Sequence, residues 1–261
     1  MKKALFYGLI VIFFSVIGYL IYLDQKEVSP KVLTIETAYV IMDDEPTLEI
    51  PLYMDDNEHP LMIRDAVIHV SLVSLENDSQ IQVELVDITY QGSEVYLNQT
   101  FHRYVYELNL PSFDQTVILK DALMEIDLIN GSSYTFTIGK VSISPSKPID
   151  HYLNWSKLSG TKVDQSIYER IGCVEIGIFE LNKDIVSFFD GFTYSEVFQI
   201  KDDMLYLYLN DEPFIYQSFP IEIIFSDGSS QLIPYFNYMN SYDLLKMSGP
   251  LIHVYDLNPS I

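Results

Sequence analysis

The sequence predicts an all-β protein in which a single N-terminal transmembrane helix precedes two antiparallel β-sandwich domains. Three observations lead to this prediction: an uncharged apolar run near the N-terminus, apolar and polar residues that alternate with a period of two through most of the remaining chain, and a proline-rich joint near its middle. With 261 residues, of which 48% are hydrophobic, the chain has enough apolar material to form the cores of two small domains.

The transmembrane helix is predicted from the run Ala4 to Leu23, which contains no charged residue and follows Lys2 and Lys3. As a helix, this run would span about 30 Å, the thickness of the hydrocarbon core of a bilayer. The lysines favour a cytoplasmic N-terminus, so we expect a single-pass protein of the cell membrane whose remaining residues lie outside the cytoplasm. Residues 1–27 are therefore assigned to a signal-anchor segment. One alternative is a signal peptide cleaved before Tyr19, although such peptides usually have shorter apolar cores. The other is a buried helix of a soluble protein.

The first sandwich is predicted over residues 31–144, where five runs alternate in polarity and each would bury one face of a strand. Asn130-Gly131, between two of these runs, is typical of a hairpin turn. The apolar positions of the runs are Ile68, Val70 and Leu72; Ile81, Val83 and Leu85; Tyr104, Tyr106, Leu108 and Leu110; Met124, Ile126 and Leu128; and Tyr134, Phe136 and Ile138.

The second sandwich is predicted over residues 150–261, after the joint Ser144-Pro145-Ser146-Lys147-Pro148, because proline seldom fits a central strand. A short helix is predicted at Tyr242–Met247, followed by a last strand at Leu251–Tyr255. The other strands are predicted at Cys173–Leu181, Phe192–Ile200, Met204–Leu209, Pro220–Phe225 and Gln231–Tyr238.

A weak internal repeat indicates that the two domains are related. Asn130-Gly131-Ser132-Ser133 and Asp227-Gly228-Ser229-Ser230 are 97 residues apart, and each follows a strand pattern. A chance match stays open as the alternative, because Gly-Ser turns are common in all-β proteins.

With its membrane segment and strand-rich remainder, the layout resembles that of single-pass bacterial surface proteins with immunoglobulin-like domains. The resemblance is architectural and covers the whole chain, and no motif identifies a named family. The tyrosine corner and the Cys–Trp–Cys pattern of antibody domains are missing from the sequence. The resemblance implies immunoglobulin-like sandwiches displayed at a bacterial surface.

Charge and cysteine content narrow the function classes. The formal net charge is −22, so nucleic-acid phosphates would be repelled and no nucleic-acid partner is expected. Beyond Leu23, 13 basic residues face 37 acidic ones, so the exported part carries a net charge of −24 and is strongly acidic. Cys173 is the single cysteine, so the chain can form no internal disulfide. Its neighbours favour strands and are acidic, which predicts a buried structural thiol.

No catalytic motif is found in the sequence, so we predict a protein without catalytic residues or cofactors rather than an enzyme. The histidines do not pair at strand or helix spacing, and His69 is expected to point to solvent. Four acidic turns are candidates for weak calcium binding, since calcium prefers carboxylate oxygens, but none has EF-hand spacing and the metal sites are left undetermined. These turns contain Asp43-Asp44-Glu45, Asp55-Asp56-Asn57-Glu58, Asp202-Asp203 and Asp211-Glu212.

The predicted function is that of a non-catalytic binding or accessory module for another envelope protein or an extracellular ligand. The acidic exported part favours a protein partner of basic character, or one that is bridged to it by divalent cations. The alternative is a surface carbohydrate-binding module that uses exposed aromatic residues, or a glycosidase-like hydrolase whose site forms only in the fold. Three aromatic clusters could provide such a surface or could instead fill the core: Tyr90, Tyr96, Phe101, Tyr104 and Tyr106; Tyr206, Tyr208, Phe214, Tyr216 and Phe219; and Tyr235, Phe236 and Tyr238.

Overall fold

The computed structural model of the chain confirms the all-β prediction: strands make up 70% of the described residues and helices 7%. The structure describes residues 15–16, 29–42, 46–74, 76, 79–145, 152–162, 171–209, 215–216, 218–237 and 244–257. Most of the predicted membrane run and most of the proline-rich joint lie outside these residues. Among the residues that are described, no helix is both long and apolar enough to cross a membrane.

The first half of the chain forms two sheets joined by one long strand. The strands of this half are β1 (Lys31–Ile35), β2 (Thr37–Met42), β3 (Thr47–Met54), β4 (Val67–Ser74), β5 (Ser79–Tyr96), β6 (Gln99–Asn109), β7 (Val117–Leu128) and β8 (Ser133–Ser144). Two strands from later in the chain, β15 (Ile215–Tyr216) and β18 (Ile252–Asp256), complete the sheets. Sheet A has the strand order β5-β6-β3-β1-β18 and sheet B the order β15-β2-β8-β7-β4-β5, so that β5 belongs to both.

Sheets A and B enclose the largest hydrophobic core, which receives side chains from both. Leu52 and Tyr106 reach it from sheet A, and Met124 and Phe136 reach it from sheet B. Two short 3-10 turns, Pro60–Met62 and Arg64–Ala66, connect β3 to β4, and the buried residue Leu61 closes one end of this core. The arrangement is the predicted sandwich, with two sheets packed face to face over apolar side chains.

The C-terminal part of the chain returns to sheet A. Strand β18 (Ile252–Asp256) pairs antiparallel with β1, and the short helix α1 (Leu244–Ser248) precedes it. Leu245 of this helix packs with Phe101 and Tyr53 in a smaller core on the outer face of sheet A. The helix and the last strand therefore occur close to where the sequence predicts them.

The second half contains two four-stranded sheets around its own core. Their orders are β13-β14-β10-β9 and β12-β11-β16-β17. The strands are β9 (Leu153–Lys162), β10 (Ile171–Leu181), β11 (Ile185–Phe189), β12 (Tyr194–Ser195), β13 (Phe198–Lys201), β14 (Met204–Tyr208), β15 (Ile215–Tyr216), β16 (Ser218–Phe225) and β17 (Ser230–Asn237). Strand β15 instead joins sheet B.

Three strands connect the halves. Ala38, Val40 and Met42 of β2 pack into the core of the second half, although β2 itself lies in sheet B. Strands β15 and β18 come from the second half of the sequence and extend sheets B and A respectively. The domain limits 31–144 and 150–261 stay a prediction, and these three connections cross them.

The pairing is antiparallel, as predicted, except at β2. This strand pairs in parallel with both β8 and β15, from Thr37 opposite Gly139 to Met42 opposite Ser144 on the β8 side. The backbones of β2 and β8 approach closely at Gly139, where φ is 109° and an added Cβ would overlap the backbone of Thr37. A glycine satisfies both requirements because it has no Cβ.

The weak sequence repeat corresponds to a repeated three-stranded unit. Strand β4 pairs with β7 and β7 with β8, as β11 pairs with β16 and β16 with β17. A register shift follows the first pair in each unit, Val67 with Leu128 and Ile185 with Phe225. Two related modules would share such an irregularity, so the shared register shift favours duplication over a chance match of the turns.

Four of the five alternating runs bury their apolar face as predicted, and the fifth does so in part. Ile68 is 64% exposed, while Val70 and Leu72 are buried. The register shift between Val67 and His69 rotates Ile68 away from the core, which the regular period of two does not anticipate.

Candidate functional site

Strands β5 and β6 continue past the end of the large core and bring three rings together on the face that points towards sheet B. Tyr90 lies opposite Tyr104, and their ring centroids are 5.5 Å apart at an interplanar angle of 53°. The ring of His102 is 6.1 Å from that of Tyr90. Tyr104 packs against the rim of the core, whereas Tyr90 is 57% exposed. One aromatic face is therefore available to a ligand.

The hydroxyl of Ser93 connects these rings by hydrogen bonds. Its Oγ is 2.9 Å from the hydroxyl of Tyr90 and 3.0 Å from Nδ1 of His102. Ser93 lies opposite His102 because a register shift follows Tyr90 in the β5–β6 pair. The group thus offers hydroxyl and imidazole donors and acceptors beside an exposed ring.

The segment between β3 and β4 crosses the sandwich beside this group and is fixed at both ends. At its start, Asp55 accepts hydrogen bonds from the backbone N–H of Lys31 (2.7 Å) and from the side-chain amide of Gln99 (2.5 Å). Further on, the buried hydroxyl of Tyr106 donates to the carbonyl of Leu61. Three titratable residues lie between these contacts, Asp56, Glu58 and His59, and the contacts position the segment that carries them.

His59 links this segment to sheet B. Its Nδ1 accepts a hydrogen bond from the backbone N–H of Leu61 (3.2 Å), and its ring meets that of Tyr134 edge-on at 5.8 Å. Partial burial lowers the pKa of His59, and the carboxylate of Asp56 partly opposes this effect. Burial raises the pKa of Tyr104, with smaller contributions from Tyr90 and Asp56. The carboxylate of Asp56 therefore influences the pKa of His59 on its own segment and the pKa of Tyr104 on sheet A.

We call this group the rim site. It has a cluster of rings on sheet A, a ring pair towards sheet B and a carboxylate on the segment that runs between them. Its residues are Asp56, His59, Tyr90, Ser93, His102, Tyr104 and Tyr134.

The rim site divides the first aromatic cluster of the sequence between core and surface. Phe101 and Tyr106 are buried, Tyr90 is exposed, and Tyr96 and Tyr104 are partly buried. Sequence reasoning identified these tyrosines but not their polar companions. His59 and His102 are 43 positions apart in the sequence, and neither lies in a metal-binding or catalytic motif.

The other aromatic clusters are described only in part. Tyr206 and Tyr208 lie on the outer face of the β13-β14-β10-β9 sheet, opposite Glu175 and Cys173 respectively. The hydroxyl of Tyr208 donates to Gln199 at 3.5 Å, and Glu175 accepts from Thr161 at 2.8 Å. Phe214 and Tyr238 lie outside the described residues, and the side chains of Tyr216, Phe219, Tyr235 and Phe236 are not described.

Cys173 lies half-buried on this outer face. Burial and the neighbouring carboxylate of Glu175 raise the pKa of its thiol to about 11. The thiol is therefore protonated at neutral pH, and a protonated thiol is a poor nucleophile.

The acidic turns show varied roles. Asp202 and Asp203 both have positive φ and form the turn between β13 and β14. The carboxylate of Asp55 is occupied by the two hydrogen bonds described above. Asp43-Asp44-Glu45 and Asp211-Glu212 lie outside the described residues. Among the described residues, no three His, Cys, Asp or Glu side chains are grouped as metal ligands.

A small cleft opens where β4 and β5 separate beyond the pair Val70–Val83. Its volume is about 170 Å³, and its lining includes Arg64, His69 and Glu84. The guanidinium of Arg64 donates to the carbonyls of Leu85 (2.9 Å) and Val86 (3.4 Å), which positions it across the gap. His69 thus lies in a cleft wall and is half-buried, rather than in the fully solvated position that the sequence predicts.

A lysine–serine pair occurs near the turn between β16 and β17. Nζ of Lys183 lies 2.8 Å from Oγ of Ser229 and 2.7 Å from the carboxylate of Asp227, and it is 3.4 Å from the ring centre of Tyr152. A hydrogen bond to Asp227 raises the pKa of Lys183. A lysine held in its charged form cannot accept a proton from serine, so the pair acts as a clamp on the turn.

Comparisons with known proteins give only distant similarities. No family model and no curated protein matches the chain. Among solved structures it is similar to SGBP-B of the Bacteroides ovatus mixed-linkage glucan utilization locus, solved with a mixed-linkage heptasaccharide, at 13% identity and a TM-score of 0.23, over 77% of this chain and 44% of that one. The chain therefore spans less than half of that protein.

Two further structures are similar at the same level. The D00-D0 domain of intimin matches with 11% identity and a TM-score of 0.23, over 80% of this chain and 100% of that one. The sialic acid binding region of a Streptococcus sanguinis adhesin matches with 9% identity and a TM-score of 0.22, over 82% and 79%. TM-scores this low do not establish a shared fold or function. The immunoglobulin-like type of the sandwiches stays a prediction.

Proposed function

We propose that the chain is a non-catalytic binding module, anchored in the cell membrane, whose rim site takes an uncharged carbohydrate. The observation on which this rests is the exposed ring of Tyr90, bordered by the ring of Tyr104 and by the Ser93–His102 hydrogen bond. An aromatic face can stack on the apolar face of a sugar, and the adjacent polar groups can exchange hydrogen bonds with its hydroxyls.

The charge of the chain favours an uncharged ligand. The net charge is −22, and Asp56 adds a carboxylate within the rim site. An anionic glycan would meet like charge on approach, which lowers both its rate of association and its affinity. A neutral sugar is not subject to this repulsion.

The rim site is proposed as a binding site rather than a catalytic one. Ser93 and His102 are within hydrogen-bond distance, which is the spacing of a nucleophile and its base. The same serine hydroxyl also contacts the hydroxyl of Tyr90, and both Ser93 and Tyr90 are exposed on an open strand pair. Solvent access of this kind favours reversible binding over a reaction that needs water excluded. The alternative hydrolase would need two carboxylates in a cleft, whereas Glu84 is the one carboxyl side chain that lines the β4–β5 cleft.

The anchor is proposed from the sequence alone. The uncharged run Ala4 to Leu23 and the lysines before it would place residues 24–261 outside the cytoplasm. Mass spectrometry of the membrane fraction tests this proposal, because an uncleaved anchor leaves the N-terminal peptide on the protein. A released protein that begins near Tyr19 would contradict it.

Titration calorimetry and a neutral-glycan array test the binding function. We expect the Tyr90→Ala variant to lose at least about tenfold in affinity for any glycan that the wild type binds, because it removes the stacking face. Tyr194→Ala is the matched control: Tyr194 is 67% exposed and lies outside the rim site. If no neutral glycan binds the wild type, or if both variants lose affinity alike, the proposal is wrong.

A second candidate function, docking to a basic protein of the envelope, is favoured by one observation. Glu49, Glu107 and Asp87 lie side by side across β3, β6 and β5 on one face of sheet A. Like charges at directly opposed positions destabilise a sheet, and a basic partner would relieve this repulsion. Crosslinking in native membranes tests the proposal when wild type is compared with the Glu49→Gln/Asp87→Asn double variant. Asp202→Asn/Asp203→Asn is the control, because asparagine tolerates the positive φ of that turn.

A further inference from the structure

We propose that the rim site binds an extended neutral oligosaccharide across the end of the sandwich, with Tyr90 and Tyr104 as one subsite, His59 and Tyr134 as a second, and Asp56 as the acceptor between them. This inference rests on the proposed carbohydrate-binding function and adds the length of the ligand and a specificity-determining residue.

The two ring groups belong to facing sheets. Tyr104 lies opposite Leu52 in sheet A, and Tyr134 lies opposite Ile126 in sheet B. Both tyrosines pack against the same core, whose walls are sheets about 10 Å apart. A ligand that contacts both rings must therefore bridge the sheets, which favours a chain of several sugars over one sugar ring.

Asp56 lies in the segment that crosses between the sheets. It directly follows Asp55, which is hydrogen-bonded to Lys31 and Gln99 of sheet A. It comes three residues before His59, whose ring contacts Tyr134 of sheet B. One carboxylate oxygen, Oδ1, accepts a hydrogen bond from the backbone N–H of Glu58 at 2.9 Å. Within the described part of the chain, no hydrogen bond is found for Oδ2. A fixed carboxylate with one oxygen available is suited to accept hydrogen bonds from sugar hydroxyls.

The segment is held in place without a ligand. Asp55 is fixed by Lys31 and Gln99, and Leu61 is buried and accepts from Tyr106. Asp56 and His59 therefore need little reorganisation on binding, which reduces its entropic cost. The chemistry on offer is aromatic stacking and hydrogen bonding beside a negative charge, which fits an uncharged polyhydroxylated chain better than an acidic peptide.

Affinity as a function of ligand length tests the inference. The probes are α- and β-linked oligomers of glucose, mannose and galactose, from monomer to hexamer, titrated against the complete chain. We expect affinity for the preferred series to rise by at least about tenfold between the shortest and longest members, since a second subsite adds contacts without a second loss of translational freedom.

Two variants assign that gain to the second subsite. Tyr134→Ala and Asp56→Asn should reduce the gain in affinity with length, so that they weaken the longest ligand by several-fold more than the shortest, whereas Tyr90→Ala should weaken both ligands alike. Because Asp56→Asn keeps an acceptor for the N–H of Glu58, we expect it to fold normally. It therefore tests the second subsite even if Tyr134→Ala fails to fold. This inference is wrong, and the proposed function stands, if short sugars bind but affinity does not rise with length. The same holds if affinity rises with length in both variants as much as it does in the wild type. If no oligomer binds, or only a protein partner is captured, both are wrong.

Discussion

The side chains of Asn130 and Asp227 lie 97 residues apart and accept the same hydrogen bond, from the backbone N–H two residues later, at 3.0 Å in each case. The bonds around them also match: Gly131 donates to Leu128 and Gly228 to Phe225, both at 2.9 Å. The turns differ in charge, because Asp227 also pairs with Lys183. The chain therefore provides its own comparison between an Asn and an Asp version of one turn.

We predict that Asp227→Asn is tolerated much better than Asp227→Ala. Asparagine keeps the acceptor that Asn130 provides in the first turn and loses only a partly exposed ion pair, and surface pairs of this kind usually contribute little. Alanine loses the turn bond as well, and we expect it to lower Tm by about 2–4 °C. Thermal unfolding of the two variants measures the difference. Equal losses would mean that the ion pair, rather than the turn bond, is the important contact.

The elements that the sequence could predict are those with a regular period and a clear turn. Met124, Ile126 and Leu128 of β7 are all buried, and so is Phe136 of β8 across the turn at Asn130-Gly131. Here each strand has one face on the core, and the turn residues define the hairpin, so local pattern and fold agree. Strands β1, β2, β3, β9 and β11 are not among the strands predicted from the sequence, and β9 and β11 do not alternate in this way.

The rim site could not be predicted because its residues meet through irregular features of the fold. Tyr90 faces Tyr104 across a hairpin whose turn, Leu97-Asn98, has positive φ without a glycine. Ser93 reaches His102 through a register shift near Gly92, where φ is 114°. His59 contacts Tyr134 over a separation of 75 residues. A period of two predicts faces of a strand, but it does not predict bulges or which loop crosses which sheet.

We predict that Gly139→Ala destabilises the protein far more than Gly92→Ala. Both glycines have φ above 100°, so alanine costs on the order of 1 kcal/mol of backbone strain at either position. At Gly139 the new Cβ also meets the backbone of Thr37, whereas nothing lies within 4 Å of the corresponding Cβ at Gly92. Because a backbone neighbour cannot rotate aside, β2 and β8 must separate. Urea unfolding of both variants tests this, and similar midpoints would contradict it.

His59 should make stability depend on pH. Partial burial lowers its pKa in the folded state, so the unfolded chain binds a proton more readily. Stability therefore falls as pH drops below the unfolded value of about 6.5 and levels off below the folded pKa. His59→Asn removes this contribution and keeps an acceptor for the N–H of Leu61. Between pH 5 and pH 8, the free energy of unfolding should change less with pH in the variant than in the wild type. The same pH dependence in both proteins would argue against a role for His59.

Cys173 should react slowly with alkylating reagents in the folded protein. Its thiol pKa of about 11 leaves little thiolate at pH 8, so we expect iodoacetamide to modify it at least about tenfold more slowly than free cysteine. Unfolding in urea should restore the ordinary rate, since both the burial and the fixed position of Glu175 are lost. Mass spectrometry of timed samples measures the reaction, and a fast folded-state rate would indicate a reactive thiol.

Tyr106→Phe should weaken both the fold and the rim site. The variant leaves the carbonyl of Leu61 without its buried donor, which costs about 1–3 kcal/mol, and it releases one end of the segment that positions Asp56 and His59. We therefore expect a lower urea midpoint together with a loss of glycan affinity. Tyr208→Phe is the control, because it removes an exposed hydroxyl outside the rim site and should leave affinity unchanged and alter stability by less than about 0.5 kcal/mol. If Tyr106→Phe lowers the midpoint but leaves affinity unchanged, the tyrosine supports the core alone, and the geometry of the rim site does not depend on the Leu61 contact.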